Sequence, residues 1–317
     1  MYVVTAATGH TGSVVAHKLL AAGAKVRVLG RDASRLAQFA GQSSENRAEV
    51  VTVDMEDAPA LEKALSGARA VYAVMPPNLA APDVRAYQER VTDSLAAAIR
   101  NNGVAYAVAL SSTGADLEKG TGPVLGLHSL EKKLGAIDGL NLLALRCGHF
   151  MENLLTQISV IHSMGFMAGA VNADVPLPMI ATADIGAVAA ESLEKLDFTG
   201  TQTRELLGPR HVTNAEAAHI VGKAIGGQQI LFVGRKRHVP DTLSHEQILL
   251  NLMRNGIDHG YAVRGTQCNK AGFPVFCDVD AHGLNCLAAQ PRDREVDLFG
   301  YLILDGVDNA DRATNLG

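Results

Sequence analysis

Residues 1–32, MYVVTAATGHTGSVVAHKLLAAGAKVRVLGRD, decide the fold. A short β-branched run, Tyr2–Thr5, ends in a turn of small residues. An apolar pattern of helical period follows over Gly12–Ala22, and a second run comes at Val26–Leu29. Strand, glycine turn and helix in that order build an anion site. The N–H groups of a first helical turn lack intrahelical partners, the helix dipole adds partial positive charge, and glycines let a pyrophosphate approach the backbone. Gly9 and Gly12 suit that role, and Gly12 also lets the helix start close to the strand. The first glycine of the usual dinucleotide fingerprint is Ala6 here. The second strand ends in Gly30–Arg31, where an NAD-selective site carries an acidic residue for the ribose 2′-hydroxyl. Glycine leaves room at that point and a guanidinium can pair with a 2′-phosphate, so the stretch predicts NADP(H) as the cofactor. Arg35, one turn later, is a second candidate.

Outward from this stretch, strands and helices alternate for the first two hundred residues. Apolar runs recur at Val50–Val53, Ala70–Met75, Val104–Leu110 and Leu142–Leu145, and helical patterns fill the gaps at Ser34–Ala40, Ala58–Leu65, Val84–Arg100 and Leu127–Ile137. Near-continuous apolar strands separated by helices predict an α/β fold, a doubly wound parallel sheet of Rossmann type. After Phe150 the alternation loosens. Helices are expected at Glu152–Ser163, Asp184–Leu196 and in VTNAEAAHIVGKAIGG, where Thr213 and Glu216 form a capping box, with short strands at Glu205–Leu207 and Ile230–Val233. The expected organisation is a cofactor domain over 1–150, a smaller α/β lobe over 151–256 with some strands returning to the sheet, and an irregular tail over 257–317.

Composition narrows the functions. A net charge of −5 argues against a nucleic-acid surface. No apolar run reaches the roughly 18 residues of a membrane span, and no leader peptide is read at the start. Four cysteines are too few for a disulfide scaffold, so a reducing, cytoplasmic setting is expected. No metal site is expected: Cys268, Cys277 and Cys286 stand nine apart with no tight Cys-x2–4-Cys pair, and DVDAHG has Ala289 where a calcium loop needs glutamate. GRKRH, with Arg235 and Arg237, reads as a solvated turn, and no Gly-x-Ser-x-Gly elbow is present for an esterase.

Five segments together resemble the NmrA-like family, an atypical branch of the short-chain dehydrogenase/reductases: VTAATGHTG, VRVLGRD, VVTVDMED, LRCGHFMEN and PMIATADIGAVAAESL. The likeness covers roughly residues 1–235 and leans toward members that reduce quinones or azo compounds with NAD(P)H. It implies that Thr8, Gly9, His10, Thr11 and Gly12 wrap the pyrophosphate, Arg31 takes the 2′-phosphate, and Asp54 and Met55 border the adenine. It further implies Met75 and Pro76 along the ribose, with Ser111 and the segment Cys147–Phe150, Gly148 included, beside the nicotinamide. The acceptor pocket would be bounded by Asn78, Gly114, Phe150, Met151 and Asn153. Cys147 stands where the family segment LRPGFFMEN has proline.

The proton chemistry departs from the parent superfamily, which uses Tyr-x3-Lys. With Glu131 aligned to the family's helix glutamate, the dyad positions fall on Pro123 and Leu127, which carry no proton. His128 and Lys132, four apart on one helix face, are the replacement candidates. Two functions follow as expectations: an NADPH-dependent reductase acting on a small planar acceptor, or a non-catalytic NADP(H)-binding redox sensor working through a regulatory protein partner. A homodimer is compatible with either.

Overall fold

The computed structural model describes residues 1–41, 48–78, 80–169, 171–225 and 230–234, and three further strands after residue 265. The chain divides into two compact units, residues 1–156 with 176–212, and residues 157–175 with 213–317.

The first unit is built on a seven-stranded sheet. Its strands are β1 (Tyr2–Val4), β2 (Val26–Gly30), β3 (Glu49–Thr52), β4 (Ala70–Ala73), β5 (Tyr106–Ser112), β6 (Asn141–Cys147) and, later in the chain, β10 (Thr201–Leu206). The order across the sheet is β10-β6-β5-β4-β1-β2-β3 and every pairing is parallel. Apart from β10 this is the doubly wound order 3-2-1-4-5-6, whose direction reverses beside β1. Helices cover both faces. On one side α3 (Ala58–Ala64), α4 (Val84–Asn101) and α5 (Leu125–Gly135) bury Leu61, Val91, Leu95, Ile99, Leu130 and Leu134 against the sheet. On the other side α1 (His10–Ala21), α2 (Ala33–Leu36) and α7 (Thr182–Lys195) bury Val15, Leu19, Leu36, Ile185, Ala189 and Leu193.

A strand buried on both faces leaves no room for an unpaired charge. Arg27, inside β2, meets that condition by donating to the Ala64 and Ser66 carbonyls at 2.7 and 2.8 Å and pairing with Glu49 at 2.9 Å. It thereby closes the carboxyl end of α3. A small second sheet has the order β11 (His211–Thr213), β9 (Pro176–Ile180), β7 (His149–Phe150), with β7 and β9 parallel.

In the second unit, α6 (Ile158–Met164) precedes β8 (Phe166–Gly169), which pairs in parallel with β12 (Leu231–Gly234). Between them lies α8 (Asn214–Ala224), capped as expected by Thr213 through its hydroxyl and the Glu216 N–H at 3.1 Å. The stretch read as one helix over Glu152–Ser163 is instead a 3-10 turn, Met151–Gln157, followed by α6. The tail expected to be irregular carries three described strands, β13 (Thr266–Cys268), β14 (Pro274–Asp280) and β15 (Gly283–Ala288), in one antiparallel ladder. Val275, Phe276 and Val279 supply the β propensity that scattered glycines masked. The rest of 257–317, His259 and His282 included, lies outside the described residues, as does the basic turn at Arg235–Arg237. Among the described residues no helix is long and apolar enough to cross a membrane, and no group of three metal-ligating side chains occurs.

Candidate functional site: the carboxyl edge of the parallel sheet

Doubly wound sheets bind ligands outside the carboxyl ends of their strands, where the order reverses. That point lies between β1 and β4. Ala6, directly after β1, holds φ at 47°, a left-handed conformation that a glycine would take without cost. The turn is closed by the Gly9 N–H donating to the Ala6 carbonyl at 2.9 Å. Gly9 caps α1, no side chain caps it in addition, and no acidic residue occupies its first turn. The N–H groups of His10, Thr11 and Gly12 are therefore the open donors of an anion cradle. Gly12 admits no side chain: an added Cβ would sit 2.4 Å from the Ala6 oxygen. Thr8 is half-buried and Gly9 and His10 are exposed, while Thr11 is buried beneath them.

The end of β2 supplies the cations. Arg31 is exposed, next to Gly30. Its charge acts on the Tyr87 phenol, which burial pushes up in pKa and which Arg31 pulls back down. Asp54 and Glu56 act on the same phenol in the opposite sense, so charges of both signs stand near it. Tyr87 donates to the Pro76 carbonyl at 3.1 Å, tying α4 to the loop after β4. Arg35 reaches back and donates to the Thr8 carbonyl at 2.8 Å, so α2 is fastened to the glycine turn. Asp32 caps α2, accepting from the Ser34 and Arg35 N–H groups at 2.9 and 3.2 Å. Asp54 is exposed and spends one oxygen on the Glu56 N–H. Met55 and Met75 are buried in the core.

At the other half of the edge, Ser111, Glu131 and Arg146 form one network. The Ser111 hydroxyl donates to Glu131 Oε1 at 2.5 Å, and Arg146 grips both carboxylate oxygens at 3.1 and 2.7 Å. Arg146 is held above the usual guanidinium range, first by this hydrogen bonding to Glu131. The network locks α5 to the ends of β5 and β6. His128 lies one turn before Glu131, half-buried, with Nδ1 bonded to the Ala115 carbonyl at 2.8 Å, which orients the ring and fixes the loop carrying Gly114. Lys132 follows on the same helix and is exposed. Pro123 sits in the 3-10 turn before α5, and Leu127 packs against the core.

The Cys147 thiol is buried and pushed up to about 12 by burial, so it stays protonated. The Thr113 N–H donates to the Cys147 carbonyl at 3.0 Å and the Gly148 N–H to Leu206 at 2.9 Å, so the segment leaving β6 is held from both sides. An added Cβ at Gly148 would lie 2.0 Å from the Pro178 oxygen. Beyond it, Phe150 packs against the core, while Met151 and Asn153 are exposed. Asn78 is half-buried after β4.

The roles of Tyr87 and Glu152 escaped the sequence reading, and His149 entered it only as part of a segment. Tyr87 is distant in sequence from everything it touches. Glu152, inside the quoted LRCGHFMEN, accepts from the Thr182 N–H with both oxygens, at 2.9 and 3.0 Å, and so caps α7. His149 lies inside the Cys147–Phe150 segment expected beside the nicotinamide, and its own signal is that it stands where the family segment has phenylalanine.

Residues 2–284 match the model of the NmrA-like family, a span that runs past the residue 235 at which the resemblance was expected to end. Among curated proteins no match is found. Solved structures with a similar fold include the NADPH-dependent quinone oxidoreductase QOR2 of Escherichia coli complexed with NADPH. It is 22% identical, covers 81% of this chain and 84% of its own, and gives a TM-score of 0.62. The triphenylmethane reductase of Citrobacter sp. complexed with NADP(H) is 18% identical, with coverages of 81% and 84% and a TM-score of 0.61. A nucleoside-diphosphate-sugar epimerase of Staphylococcus aureus is 19% identical, with coverages of 74% and 80% and a TM-score of 0.61. At these identities the likeness is one of fold.

Proposed function

The chain belongs to the NmrA-like family, and from that premise we propose that it is an NADPH-dependent reductase of small planar acceptors such as quinones or azo compounds. One observation carries the reading. The uncapped start of α1 lies beside a strand end that offers Gly30 and two arginines, and the carboxylate that follows, Asp32, is taken up capping α2. Donors for a pyrophosphate and cations for a third phosphate are the requirements of a phosphorylated dinucleotide. When bound, NADPH supplies a hydride from C4 of its nicotinamide.

The protein's share is positioning. His10, Thr11 and Gly12 hold the pyrophosphate, and Arg31 pairs with the 2′-phosphate. The Ser111–Glu131–Arg146 network sets the spacing of the strand ends that border the nicotinamide. Phe150 and Met151 offer a flat, apolar surface, which suits a planar acceptor better than a sugar needing several polar contacts. Such acceptors carry their own electron demand, so Pro123 and Leu127 in the dyad positions do not exclude hydride transfer.

Those same two residues favour a second reading, an NADP(H)-binding redox sensor that acts through a protein partner without turnover. Two measurements separate the readings: calorimetry with NADPH and NADH, then steady-state NADPH oxidation with a panel of quinones and azo dyes. NADPH bound tightly and oxidised no faster than in buffer would leave the sensor reading standing and end the reductase one.

A further inference from the structure

We propose that His149 is the proton donor to the reduced acceptor. The inference rests on the cofactor reading above and deepens it. His149 is the second residue after β6, on the edge where β4, β5 and β6 end. From the glycine turn at β1 to β6 is three strand spacings, roughly 14 Å, about the reach of the nicotinamide half of a dinucleotide whose pyrophosphate sits on α1. The backbone of His149 is fixed on both flanks, by the Gly148–Leu206 hydrogen bond and by the β7–β9 pairing of His149 with Met179. Its ring has no hydrogen-bond partner among the described residues, although the residue is exposed and its neighbours desolvate it enough to hold the imidazole below the usual histidine range. Burial is the cause of that shift, and the surroundings agree with it. β9 has no ionisable side chain, nor do Leu206–Gly208 or Ser112–Thr113. The charged neighbours in sequence, Arg146 and Glu152, are engaged with Glu131 and the start of α7. His128, by contrast, already has Nδ1 on the Ala115 carbonyl.

The chemistry balances. A quinone that accepts the hydride gains two electrons, and one oxygen becomes an anionic phenolate. The N–H proton of the His149 imidazolium moves to that oxygen. The products are hydroquinone, NADP⁺ and neutral imidazole, which solvent reprotonates.

The test has a binding arm and a turnover arm. In the first, the His149 ring C–H resonances are titrated by NMR in the free protein, with NADP⁺, and with 2′-phospho-ADP-ribose, which lacks the nicotinamide. A positive nicotinamide beside the ring should lower the His149 pKa by about half a unit or more relative to the fragment. Equal values with both ligands overturn the inference and leave cofactor binding intact. Failure of NADP⁺ to bind at all removes the cofactor reading, and the inference falls with it. In the turnover arm, kcat with a quinone should fall as pH rises through a value below the ordinary histidine pKa of about 6.5. His149→Phe should lose that limb and about 10²-fold of the rate at its acid end, with unchanged NADPH affinity. His149→Gln should behave alike, and His128→Gln should keep the limb. Loss of the limb in His128→Gln with retention in His149→Phe would assign the proton to His128 instead.

Discussion

Gly12→Ala is the sharpest probe of the anion cradle. The new Cβ would meet the Ala6 oxygen at 2.4 Å, the Ala6 carbonyl carbon at 3.0 Å and Ala7 Cα at 3.1 Å, all of them backbone atoms that no rotamer change can move. Restoring a 3.0 Å contact to the oxygen requires the start of α1 and the turn after β1 to separate by about 0.6 Å. Overpacking of this kind costs about 1–3 kcal/mol, and the helix preference of alanine over glycine returns about 1 kcal/mol. The backbone contacts put the cost toward the upper end of that range, so we expect a net loss of about 1–2 kcal/mol in urea unfolding and, because the three donors shift together, at least a tenfold loss of NADPH affinity. Gly9→Ala is the internal control. Its Cβ would meet one atom, the Ala6 oxygen, at 3.2 Å, so the loss should stay below about 1 kcal/mol. Calorimetric affinities and denaturation curves for both variants check the order. Wild-type stability and affinity in Gly12→Ala would refute the close-packed cradle.

Four further outcomes follow from the same geometry. Arg31→Ala should weaken NADPH by about one to two decades, the worth of a charge-assisted hydrogen bond of roughly 1.5–3 kcal/mol, and leave NADH nearly unchanged. Equal losses in calorimetry would remove Arg31 from the phosphate site. Glu131→Ala leaves Arg146 and Ser111 unpaired beneath the edge and should cost about 3 kcal/mol in chemical denaturation; a loss under 1 kcal/mol would show that the network is spread over other contacts. Burial pushes the Glu89 carboxyl up, but hydrogen bonds from Lys133 and Ser129 outweigh it and leave the pKa below its ordinary 4.5. Its stabilisation is thus complete above pH 4.5 and lost as pH falls through the lower folded value, so Glu89→Gln should cost about 0.5–1 kcal/mol at pH 7 and nothing near pH 2. Cys147, buried and held as a thiol, should resist alkylation in the native protein at pH 8 and react on unfolding, as peptide mass mapping would record.

The alternation of apolar runs was enough to read β1 to β6 and the helices between them, because the inner strands are buried on both faces and apolar throughout, and the edge strand β3 still carries Val50 and Val51. β10 shows where that signal stops. Its sequence, TQTREL, is mostly exposed on the edge of the sheet, so nothing apolar announces Thr201–Arg204, and only its last residues were read. β7 and β9 escaped for a related reason: a two-residue strand and a strand holding two prolines have no period to detect. The site divides in the same way. The glycine turn and Arg31, proposed to hold the cofactor's phosphates, are local in sequence, so they could be named from it alone. Tyr87 on Pro76, Glu152 on α7 and Ser111 on Glu131 join segments 11 to 30 residues apart, and only the fold brings them together.

The departures from the family's segments are not scattered. On the phosphate side the only change is Ala6 for glycine, and the backbone takes the left-handed conformation regardless, so the shape of the cradle is kept. On the side proposed for the nicotinamide, the alignment on Glu131 puts Pro123 and Leu127 at the dyad positions, and against the family segment Cys147 replaces proline and His149 replaces phenylalanine. Cys147, unlike proline, has an N–H to contribute, and β6 stays in register with both neighbours through that residue, Ser112 on one side and Leu206 on the other. That holds the following glycine and histidine in a fixed frame. A sensor without turnover would have little need of an exposed imidazole on a fixed backbone there. A reductase that had lost its tyrosine would need one group able to hand over a proton, and the β6 exit offers it from a backbone that cannot drift.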